Sequence, residues 1–382
     1  MKIAIIQPRI TYYVGGAERV AIRHAEYLSK IDGNKVDVFT VRPPHSGYTE
    51  MYKIIDRGRG LSVIEKEVPN RYRYIYDVEP GADQSRWDAE TILFNNLVYE
   101  DIKNGGYDVV LSYYIGDSLF KDLSTPNIVY LGGYPRGRIP MYTAFLNFCD
   151  ATISNSKNVR GMWADDIKDS GVALNYVLGK GADIFKATDE IRNIQEGHLV
   201  FAGRLIERKG VKLLINVLGK IKKQFPDIKL YILGDGPQRK KLVDLVAKLK
   251  LKKNVVFTGA VDNVQDYFAN SAACIFPSLE GEGLMTVVAE AMMSGACVIT
   301  SKDMGSEEII DNNITGILTR AGDEEELRDA IINILSDPGK REEISRKSLA
   351  FAEKNLSWAI VANQLDNILK EVIARFSAEA QI

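Results

Sequence analysis

Two basic residues follow a short apolar segment in the second half of the chain. Arg204 and Lys209 come directly after the predicted strand His198–Ala202 and just before a predicted helix beginning at Val211. The carboxyl ends of parallel strands form the usual ligand-binding edge of an α/β sheet, and cations placed there can hold a diphosphate. Positive charge at a helix start opposes the helix dipole unless an anion is bound. The pair therefore indicates an anion site.

A glycine-rich segment further along carries two acidic residues. Glu282 and Glu290 are separated by seven residues, and Gly283 lies in a loop that ends at a predicted helix start. Free N–H groups at such a start can bind an anion. Glu290 sits among apolar residues of that helix, so either its carboxylate has a bound partner or it lies on the surface. Glu280 competes with Glu282 for the first acidic position, since glycines surround both.

Two other glycine turns follow predicted strands. Gly15 and Gly16 open a helix after the first strand, and Gly234 begins a tight turn that ends in Pro237. Each is either an ordinary turn or a place where the backbone approaches a ligand closely. The turn at Gly15 and Gly16 does not have the dinucleotide pattern G-x-G-x-x-G, and the sequence contains no phosphate loop of the NTPase kind. This counts against a nicotinamide enzyme and against a P-loop NTPase.

Short apolar segments alternate with segments of helical periodicity along most of the chain. The predicted strands are 3–6, 36–40, 109–112, 127–131, 151–154, 198–202, 229–233, 255–258, 273–276 and 297–300, and the predicted helices are 17–29, 211–223, 238–249, 324–335 and 359–376. This alternation predicts parallel sheets covered by helices on both faces. The polar stretch 187–197 is the best candidate for a boundary between two doubly wound α/β domains.

Composition narrows the class of protein. The chain has 382 residues and a formal net charge of −2, which argues against a strongly basic nucleic-acid binder. Three cysteines, Cys149, Cys274 and Cys297, are too few for a disulfide framework and favour a reducing compartment. We find no secretory signal and no apolar run long enough to cross a bilayer. We therefore expect a soluble cytoplasmic protein, which could still rest on the inner face of a membrane.

The motifs occur in an order typical of one enzyme family. They are Gly15–Glu18, Gly203–Gly210, Leu233–Pro237, Pro277-Ser278 with the Glu282 and Glu290 pair, Glu307–Ile310 and Ser357-Trp358. The chain resembles the retaining glycosyltransferases of family 4 (glycosyl transferases group 1) over nearly its whole length. This resemblance implies the GT-B fold, in which two Rossmann-like domains face each other across a cleft. It implies an acceptor-side domain over 1–190, a donor-binding domain over 191–359, and a C-terminal helix, about 360–382, packed back on the first.

The resemblance also implies roles for individual residues. Arg204 and Lys209 would neutralise the donor diphosphate, Glu282 would contact the donor sugar, and Glu290 would accept hydrogen bonds from the ribose hydroxyls. The other donor-binding residues would act through their backbone or lie beside the base: Gly15, Gly16, Gly203, Gly234, Val261, Gly283, Leu284, Met285 and Thr286.

The implied reaction transfers a hexosyl group from a UDP- or GDP-sugar, such as GDP-mannose, to an acceptor hydroxyl with retention. The acceptor would be a glycan, a glycolipid or a cell-envelope polysaccharide. The transition state resembles an oxocarbenium ion leaving a diphosphate, whose growing charge the cations stabilise. The leaving phosphate would take the acceptor's proton in a front-face mechanism. The sequence has no Asp-x-Asp pair, so we expect neither an essential metal nor a cofactor.

One departure from the family keeps other functions open. Many relatives have a histidine after the strand corresponding to 127–131, where this chain has Gly132 and Gly133. This departure favours a non-catalytic sugar-nucleotide binding protein as an alternative. A nucleotide-sugar epimerase of the same fold and a phosphorylase-like enzyme with pyridoxal are two further alternatives.

Residues 41–107 fit the alternating pattern poorly. Basic residues (Arg57, Arg59, Lys66, Arg71 and Arg73) are interspersed there with tyrosines (Tyr48, Tyr52, Tyr72, Tyr74 and Tyr76). The segment is either a solvated, irregular insertion or a face for an anionic acceptor or membrane headgroups. Arg136 and Arg138 would add to such a face, whereas nearby acidic residues would weaken it.

Overall fold

The computed structural model describes residues 1–13, 15–43, 48–53, 55–69, 84–113, 120, 123–133, 140–183, 198–280, 283–302 and 305–379. It divides into two units, Met1–Gly179 with Trp358–Ile382, and Lys180–Ser357. The division falls after Gly179 rather than at the expected residue 190. The reason is that Ala182 belongs with the second unit: its N–H donates to the carbonyl of Leu356 (2.7 Å), and it pairs with Ser357.

Seven parallel strands form the sheet of the first unit. They are β1 (Lys2–Ile6), β2 (Lys35–Val41), β3 (Leu61–Lys66), β4 (Val109–Ser112), β5 (Asn127–Leu131), β6 (Ala151–Ser154) and β7 (Leu174–Val177). Their order is β3-β2-β1-β4-β5-β6-β7. The chain thus builds outward from β1 in one direction and then, from β4, in the other. The reversal between β1 and β4 is the topological switch point of the sheet.

Helices cover both faces of this sheet. They are α1 (Gly16–Leu28), α2 (Glu50–Lys53), α3 (Gln84–Asn104), α4 (Pro140–Leu146), α5 (Lys157–Met162), α6 (Ala164–Ser170) and α13 (Trp358–Glu379). Side chains of β1 alternate between two cores: Ile3 and Ile5 pack with α1 and α13, whereas Ala4 and Ile6 pack with α3. This alternation is why a continuous apolar strand is buried on both sides.

Six parallel strands form the sheet of the second unit. They are β8 (His198–Ala202), β9 (Lys229–Leu233), β10 (Val255–Gly259), β11 (Ala273–Phe276), β12 (Val298–Ser301) and β13 (Ile317–Thr319). Their order is β10-β9-β8-β11-β12-β13, so the switch point lies between β8 and β11. The helices are α7 (Val211–Ile221), α8 (Arg239–Lys248), α9 (Val264–Ala269), α10 (Thr286–Met293), α11 (Glu324–Ser336) and α12 (Pro338–Asn355). One continuous apolar core joins them to the sheet.

The expectation of an irregular insertion over 41–107 is wrong for the residues that the structure describes. That stretch contains the strand β3 and the whole 21-residue helix α3. The helix is hard to find in the sequence because it buries polar side chains, including Asp88, Glu90 and Asn95, where periodicity would call for apolar ones.

Candidate functional site

The loops at the carboxyl ends of β8, β9 and β11 are packed against each other in the second unit. Two glycines make this possible. Gly234 has φ +125° and a Cβ there would overlap the carbonyl of Gly203, while Gly210 has φ +68° and a Cβ there would overlap the carbonyl of Pro277. Any other residue would therefore suffer both backbone strain and a clash with main-chain atoms.

Backbone hydrogen bonds fix these loops together. The N–H of Leu205 donates to Asp235 (2.9 Å), that of Gly234 to Gly259 (2.7 Å) and that of Leu279 to Arg208 (2.7 Å). These bonds connect the ends of four neighbouring strands, β8 to β11. We call this joined edge the donor rim; it comprises residues 203–210, 234–238, 259–261 and 277–286.

The donor rim brings together one predicted cation and the predicted helix start. Lys209 ends a short 3₁₀ turn, and its Nζ lies 3.6 Å from Sδ of Met285. The hydroxyl of buried Ser278 lies 3.4 Å from the same sulfur. Arg204 stands at the other end of the loop, where its side chain is exposed. Lys209 is thus beside the first turn of α10, whereas Arg204 is an exposed residue at the far end of the loop.

The start of α10 has an unfilled hydrogen-bonding group. Met285 precedes the helix in an extended conformation and supplies no side-chain cap. Thr286 is the first helical residue, and its buried Oγ1 has no hydrogen-bond partner among the described residues. Buried polar atoms in proteins are nearly always paired, so this hydroxyl indicates a missing partner. It lies where the helix dipole favours an anion.

Glu290 follows Thr286 by one helical turn, which puts both residues on the same face of α10. Its side chain is 9% exposed, which is unusual for a carboxylate. Its backbone carbonyl accepts from the Ser294 hydroxyl at 2.8 Å. The surface position considered as an alternative from the sequence is therefore wrong for Glu290.

The remaining donor-binding predictions in this unit have mixed outcomes. Gly283 and Leu284 are buried just before α10, and Val261 is half-buried where it packs against the core after β10. Glu280 is exposed. Glu282 lies outside the described residues, so the choice between these two acidic residues stays a prediction.

The glycine pair of the first unit opens α1 as predicted. A Cβ at Gly15 would lie 2.5 Å from Oε2 of Glu18 and 2.8 Å from the Tyr13 ring. A Cβ at Gly16, in contrast, would meet nothing within 4 Å. Side chains of Tyr13 and Glu18 therefore lie close above Gly15, whereas Gly16 leaves open space at an uncapped helix start. Of these two glycines, Gly16 is the one with room for a ligand among the residues that the structure describes.

The glycines that replace the expected histidine are held through their carbonyls. Asn155 Nδ2 donates to the Gly132 carbonyl at 2.7 Å, and Trp163 Nε1 donates to the Gly133 carbonyl at 2.9 Å. Both contacts lie at the carboxyl end of β5. The position therefore presents backbone rather than an imidazole, and the six residues that follow lie outside the described part of the chain.

Sequence reasoning missed a set of polar groups at the carboxyl edge of the first sheet. Gln7 follows β1 and Ser112 ends β4, on either side of the switch point. Gln7 Nε2 and Ser112 Oγ are buried and have no hydrogen-bond partner among the described residues. The signal in the sequence is a polar residue at the carboxyl end of each apolar strand.

A buried ion pair lies beside these groups. Arg9 Nε donates to Glu90 Oε2 at 2.7 Å, and both side chains are at most 3% exposed. The Tyr12 hydroxyl donates to the other carboxylate oxygen. Burial raises the pKa of Glu90 to about 7, although the charge and hydrogen bond of Arg9 oppose the shift. Glu90 therefore titrates close to neutral pH.

The described part of the basic and aromatic segment is largely paired. Lys66 Nζ lies 2.6 Å from Asp101 Oδ2, and the Arg57 guanidinium lies 5.0 Å from the centre of the Tyr52 ring. Hydroxyls of Tyr48 and Tyr52 donate to Glu65. A membrane role for this segment stays a prediction; Arg71, Arg73, Tyr72, Tyr74, Tyr76, Arg136 and Arg138 lie outside the described residues. No helix in the described part of the chain is both long and apolar enough to span a membrane.

Comparison with known proteins connects this geometry to a class of enzyme. Residues 187–350 match the family model described as glycosyl transferases group 1. An uncharacterized glycosyltransferase of Methanocaldococcus jannaschii is 31% identical over 177 residues, 46% of this chain and 45% of that protein. A GDP-mannose-dependent monoacylated alpha-(1-6)-phosphatidylinositol monomannoside mannosyltransferase of Corynebacterium glutamicum is 30% identical over 175 residues, 44% of this chain and 45% of that protein. The chain spans less than half the length of these two relatives.

Solved structures extend the similarity to the whole chain. Sucrose-phosphate synthase of Thermosynechococcus elongatus superimposes with a TM-score of 0.79 at 19% identity, covering 98% of this chain and 99% of that one. Anabaena Alr3699/HepE in complex with UDP and glucose superimposes with a TM-score of 0.75 at 18% sequence identity, covering 97% of this chain and 100% of that one. The chain has the GT-B fold with two Rossmann-like units, which confirms the predicted fold class. The family match supports a glycosyltransferase.

Proposed function

We propose that the protein transfers a hexosyl group from a nucleotide diphosphate sugar to an acceptor hydroxyl, with retention of configuration, as a member of glycosyltransferase family 4. The observation that carries this proposal is the donor rim, where Lys209, the open start of α10 and Glu290 occur together. A cation, free N–H groups and an acceptor carboxylate match the phosphates and ribose hydroxyls of a donor.

Each element of the donor rim has a proposed task. Lys209 and Arg204 neutralise the charge that grows on the diphosphate as the bond to the sugar breaks. The N–H groups of Leu284, Met285 and Thr286 bind the phosphates and the sugar. Glu290 accepts from the ribose hydroxyls. Gly203 and Gly234 let the loops approach the donor, and Val261 lies beside the base.

The reaction is proposed to follow a front-face course. The bond between the anomeric carbon and the phosphate oxygen breaks, and the acceptor oxygen forms its bond on the same face. The acceptor proton passes to the departing phosphate oxygen, so charge and atoms balance. Glu282 is proposed to hold the donor sugar during this step. We propose that the reaction needs no metal or other cofactor, since Lys209 and Arg204 supply the positive charge.

The donor is proposed to be GDP-mannose or a UDP-sugar. The corynebacterial relative is named for GDP-mannose, and the cyanobacterial structure contains UDP and glucose. The acceptor is proposed to be a glycan or lipid-linked sugar bound by the first unit. Gln7 Nε2 and Ser112 Oγ lie at the switch point between β1 and β4 and have no hydrogen-bond partner among the described residues, so they would pair with its hydroxyls.

The test is a panel of UDP-, GDP- and ADP-sugars ranked by the rise in melting temperature, followed by turnover with the best donor. Product analysis by NMR gives the anomeric configuration, and an EDTA arm tests metal dependence. Hydroxyl-bearing acceptors that raise donor consumption and yield an α-product from an α-donor support the proposal. An inverted product would contradict the proposed retention of configuration. Loss of activity in EDTA that Mg²⁺ restores would contradict the proposed independence of a metal.

A non-catalytic sugar-nucleotide binding protein is the second candidate. The observation that favours it is the glycine pair Gly132 and Gly133 at the position of the expected histidine. Donor binding without turnover on any acceptor, and without interconversion of the donor to an epimer, would favour this candidate. Interconversion alone would identify an epimerase.

A further inference from the structure

Charge is distributed unevenly along the chain. Residues 204–253 contain fifteen lysines and arginines and only four acidic residues, an excess of eleven positive charges. Since the whole chain has a formal net charge of −2, the other residues carry an excess of thirteen negative charges. Such a strong local excess is typical of segments that bind an oppositely charged surface.

Seven lysines of this segment lie in two neighbouring regions, 222–229 and 248–254, which together we call the lysine surface. They are Lys222, Lys223, Lys229, Lys248, Lys250, Lys252 and Lys253. Two hydrogen bonds join the regions: Lys222 Nζ donates to the carbonyl of Leu249 (2.7 Å), and Lys229 Nζ donates to the carbonyl of Lys253 (2.6 Å). The lysines are therefore held on one side of the second unit.

The charge of the lysine surface is directed to solvent. Five of its lysines are exposed, and the two that are half-buried are those that donate to the carbonyls. Asp227 is the single acidic residue in the two regions. The neighbouring helix α8 carries an exposed apolar side chain, Val243, and an exposed acidic one, Asp244. Within the two regions, seven positive charges thus stand against one negative charge.

The lysine surface lies at the opposite edge of the sheet from the donor rim. It is formed where β9 and β10 begin, whereas the donor rim is formed where the same two strands end. A strand of five residues spans about 16 Å. A partner bound to the lysine surface would therefore leave the donor rim open.

We propose that the lysine surface holds the protein on a membrane surface rich in anionic lipids. Lysine ammonium groups act as point charges, which suits an array of mobile lipid phosphates. Single-stranded nucleic acids are bound instead by basic residues combined with aromatic side chains on which bases stack. The seven cations here are all lysines, and the exposed apolar neighbour is Val243. This inference does not depend on glycosyl transfer.

The test uses the full chain and vesicle co-sedimentation without donor or acceptor. Vesicles contain phosphatidylcholine alone, or phosphatidylcholine with about one third phosphatidylglycerol, at roughly 0.05 and 0.5 M salt. We expect binding to the anionic vesicles only, and a loss of most binding at high salt. Each basic residue near such a surface contributes roughly a fivefold gain in partition.

The decisive variant changes Lys223, Lys248, Lys252 and Lys253 to Gln. None of these side chains makes one of the two hydrogen bonds that join the regions, so the fold should persist, which circular dichroism checks. Removing four charges should lower the partition at least about a hundredfold. The control changes four exposed basic residues elsewhere, Lys35, Lys103, Arg346 and Lys354, to Gln. It has the same net charge and should bind vesicles like the original chain.

Three outcomes would overturn the inference. These are equal binding to neutral and anionic vesicles, equal losses in the two quadruple variants, and binding to a single-stranded oligonucleotide without binding to vesicles. Because no donor or acceptor is present, none of these results bears on the proposed transferase activity.

Discussion

Gly210 and Pro277 meet so closely that a single Cβ on Gly210 would overlap the Pro277 carbonyl oxygen. The contact joins the loop after β8 to the loop after β11, on either side of the switch point of the second sheet. It therefore sets how near the 3₁₀ turn containing Lys209 comes to the start of α10. The position of a cation relative to a helix start depends here on the absence of one methyl group.

Gly210→Ala should reduce both stability and donor affinity. The residue has φ +68°, which costs an L-residue about 1–2 kcal/mol, and the overlap with Pro277 adds to that cost. Gly322→Ala is the matched control because Gly322 has φ +77° and nothing within 4 Å of its Cβ position. Urea unfolding should show a larger loss for Gly210→Ala, and calorimetry a loss of donor affinity in that variant alone. Equal losses in the two variants would mean that the close contact is unimportant.

Lys209→Ala and Arg204→Ala should weaken binding of a nucleoside diphosphate more than binding of the nucleoside. A hydrogen bond to a charged group contributes about 1.5–3 kcal/mol, or roughly tenfold to a hundredfold in affinity. Lys209 should give the larger effect because it lies beside α10, whereas Arg204 is exposed. Calorimetry with both ligands measures the difference, and Lys354→Ala on α12 is the control. If nucleoside and diphosphate affinities fall equally, the cations do not hold the phosphates.

Thr286→Val should separate stability from binding. The hydroxyl that it removes is buried and has no partner in the described part of the chain, so the free protein should become more stable, by about 1 kcal/mol. Donor affinity should fall, since we infer that the missing partner of this hydroxyl is the donor bound at the start of α10. In the control, Thr315→Val, the lost hydroxyl accepts from the Asp311 N–H at 2.9 Å, so stability should drop. A less stable Thr286→Val protein with unchanged donor affinity would contradict this account.

Glu290→Gln keeps the shape of the side chain and removes its charge. The fold should persist, whereas donor affinity should fall because an amide accepts more weakly from ribose hydroxyls than a carboxylate does. Binding of inorganic diphosphate should stay unchanged, which serves as the internal control. Glu282→Gln should lower turnover more than nucleotide affinity. A larger turnover loss in Glu280→Gln would show that Glu280, and not Glu282, is the acidic residue that contacts the donor sugar.

The sequence predicted the central strands well because each is buried on both faces. Strands such as Ile3–Ile6 and Ala273–Phe276 appear as short apolar runs, and the structure has them within one residue. The strands missing from the prediction are β3, β7 and β13, and each lies at an edge of its sheet. The strand β13 is buried but only three residues long, whereas β3 and β7 are only partly buried, so polar residues interrupt their apolar pattern. Leu61–Lys66 ends in Glu65 and Lys66 for this reason.

Some features of the candidate site can be predicted from the sequence, and others cannot. Gly210 and Gly234 are visible in the sequence because a turn leaves a local signature. The unpaired hydroxyl of Thr286 and the unpaired amide of Gln7 cannot be predicted from the sequence. Whether such a group is buried, and whether it has a partner among the described residues, depends on residues far away in the chain. The ion pair of Glu90 is the hardest of these features to predict from the sequence. Its partner Arg9 is 81 positions away, so no spacing rule connects them.

Glu90 should make the first unit less stable as the pH rises through neutrality. Its pKa in the folded chain is about 7, above its ordinary value of 4.5. Between these values the folded state holds a proton that the unfolded state has lost, so the contribution of Glu90 is complete below about pH 4.5 and lost above about pH 7. Compared with Glu90→Gln, the original chain should lose roughly 3 kcal/mol of its free energy of unfolding across this range.

Urea unfolding followed by tryptophan fluorescence measures this loss, because Trp87, Trp163 and Trp358 all belong to the first unit. Glu343→Gln is the control: Lys347 lowers the pKa of Glu343, so its contribution should not fall over this range. A pH profile that is the same for the original chain and Glu90→Gln would show that Glu90 stays ionised in its pair with Arg9.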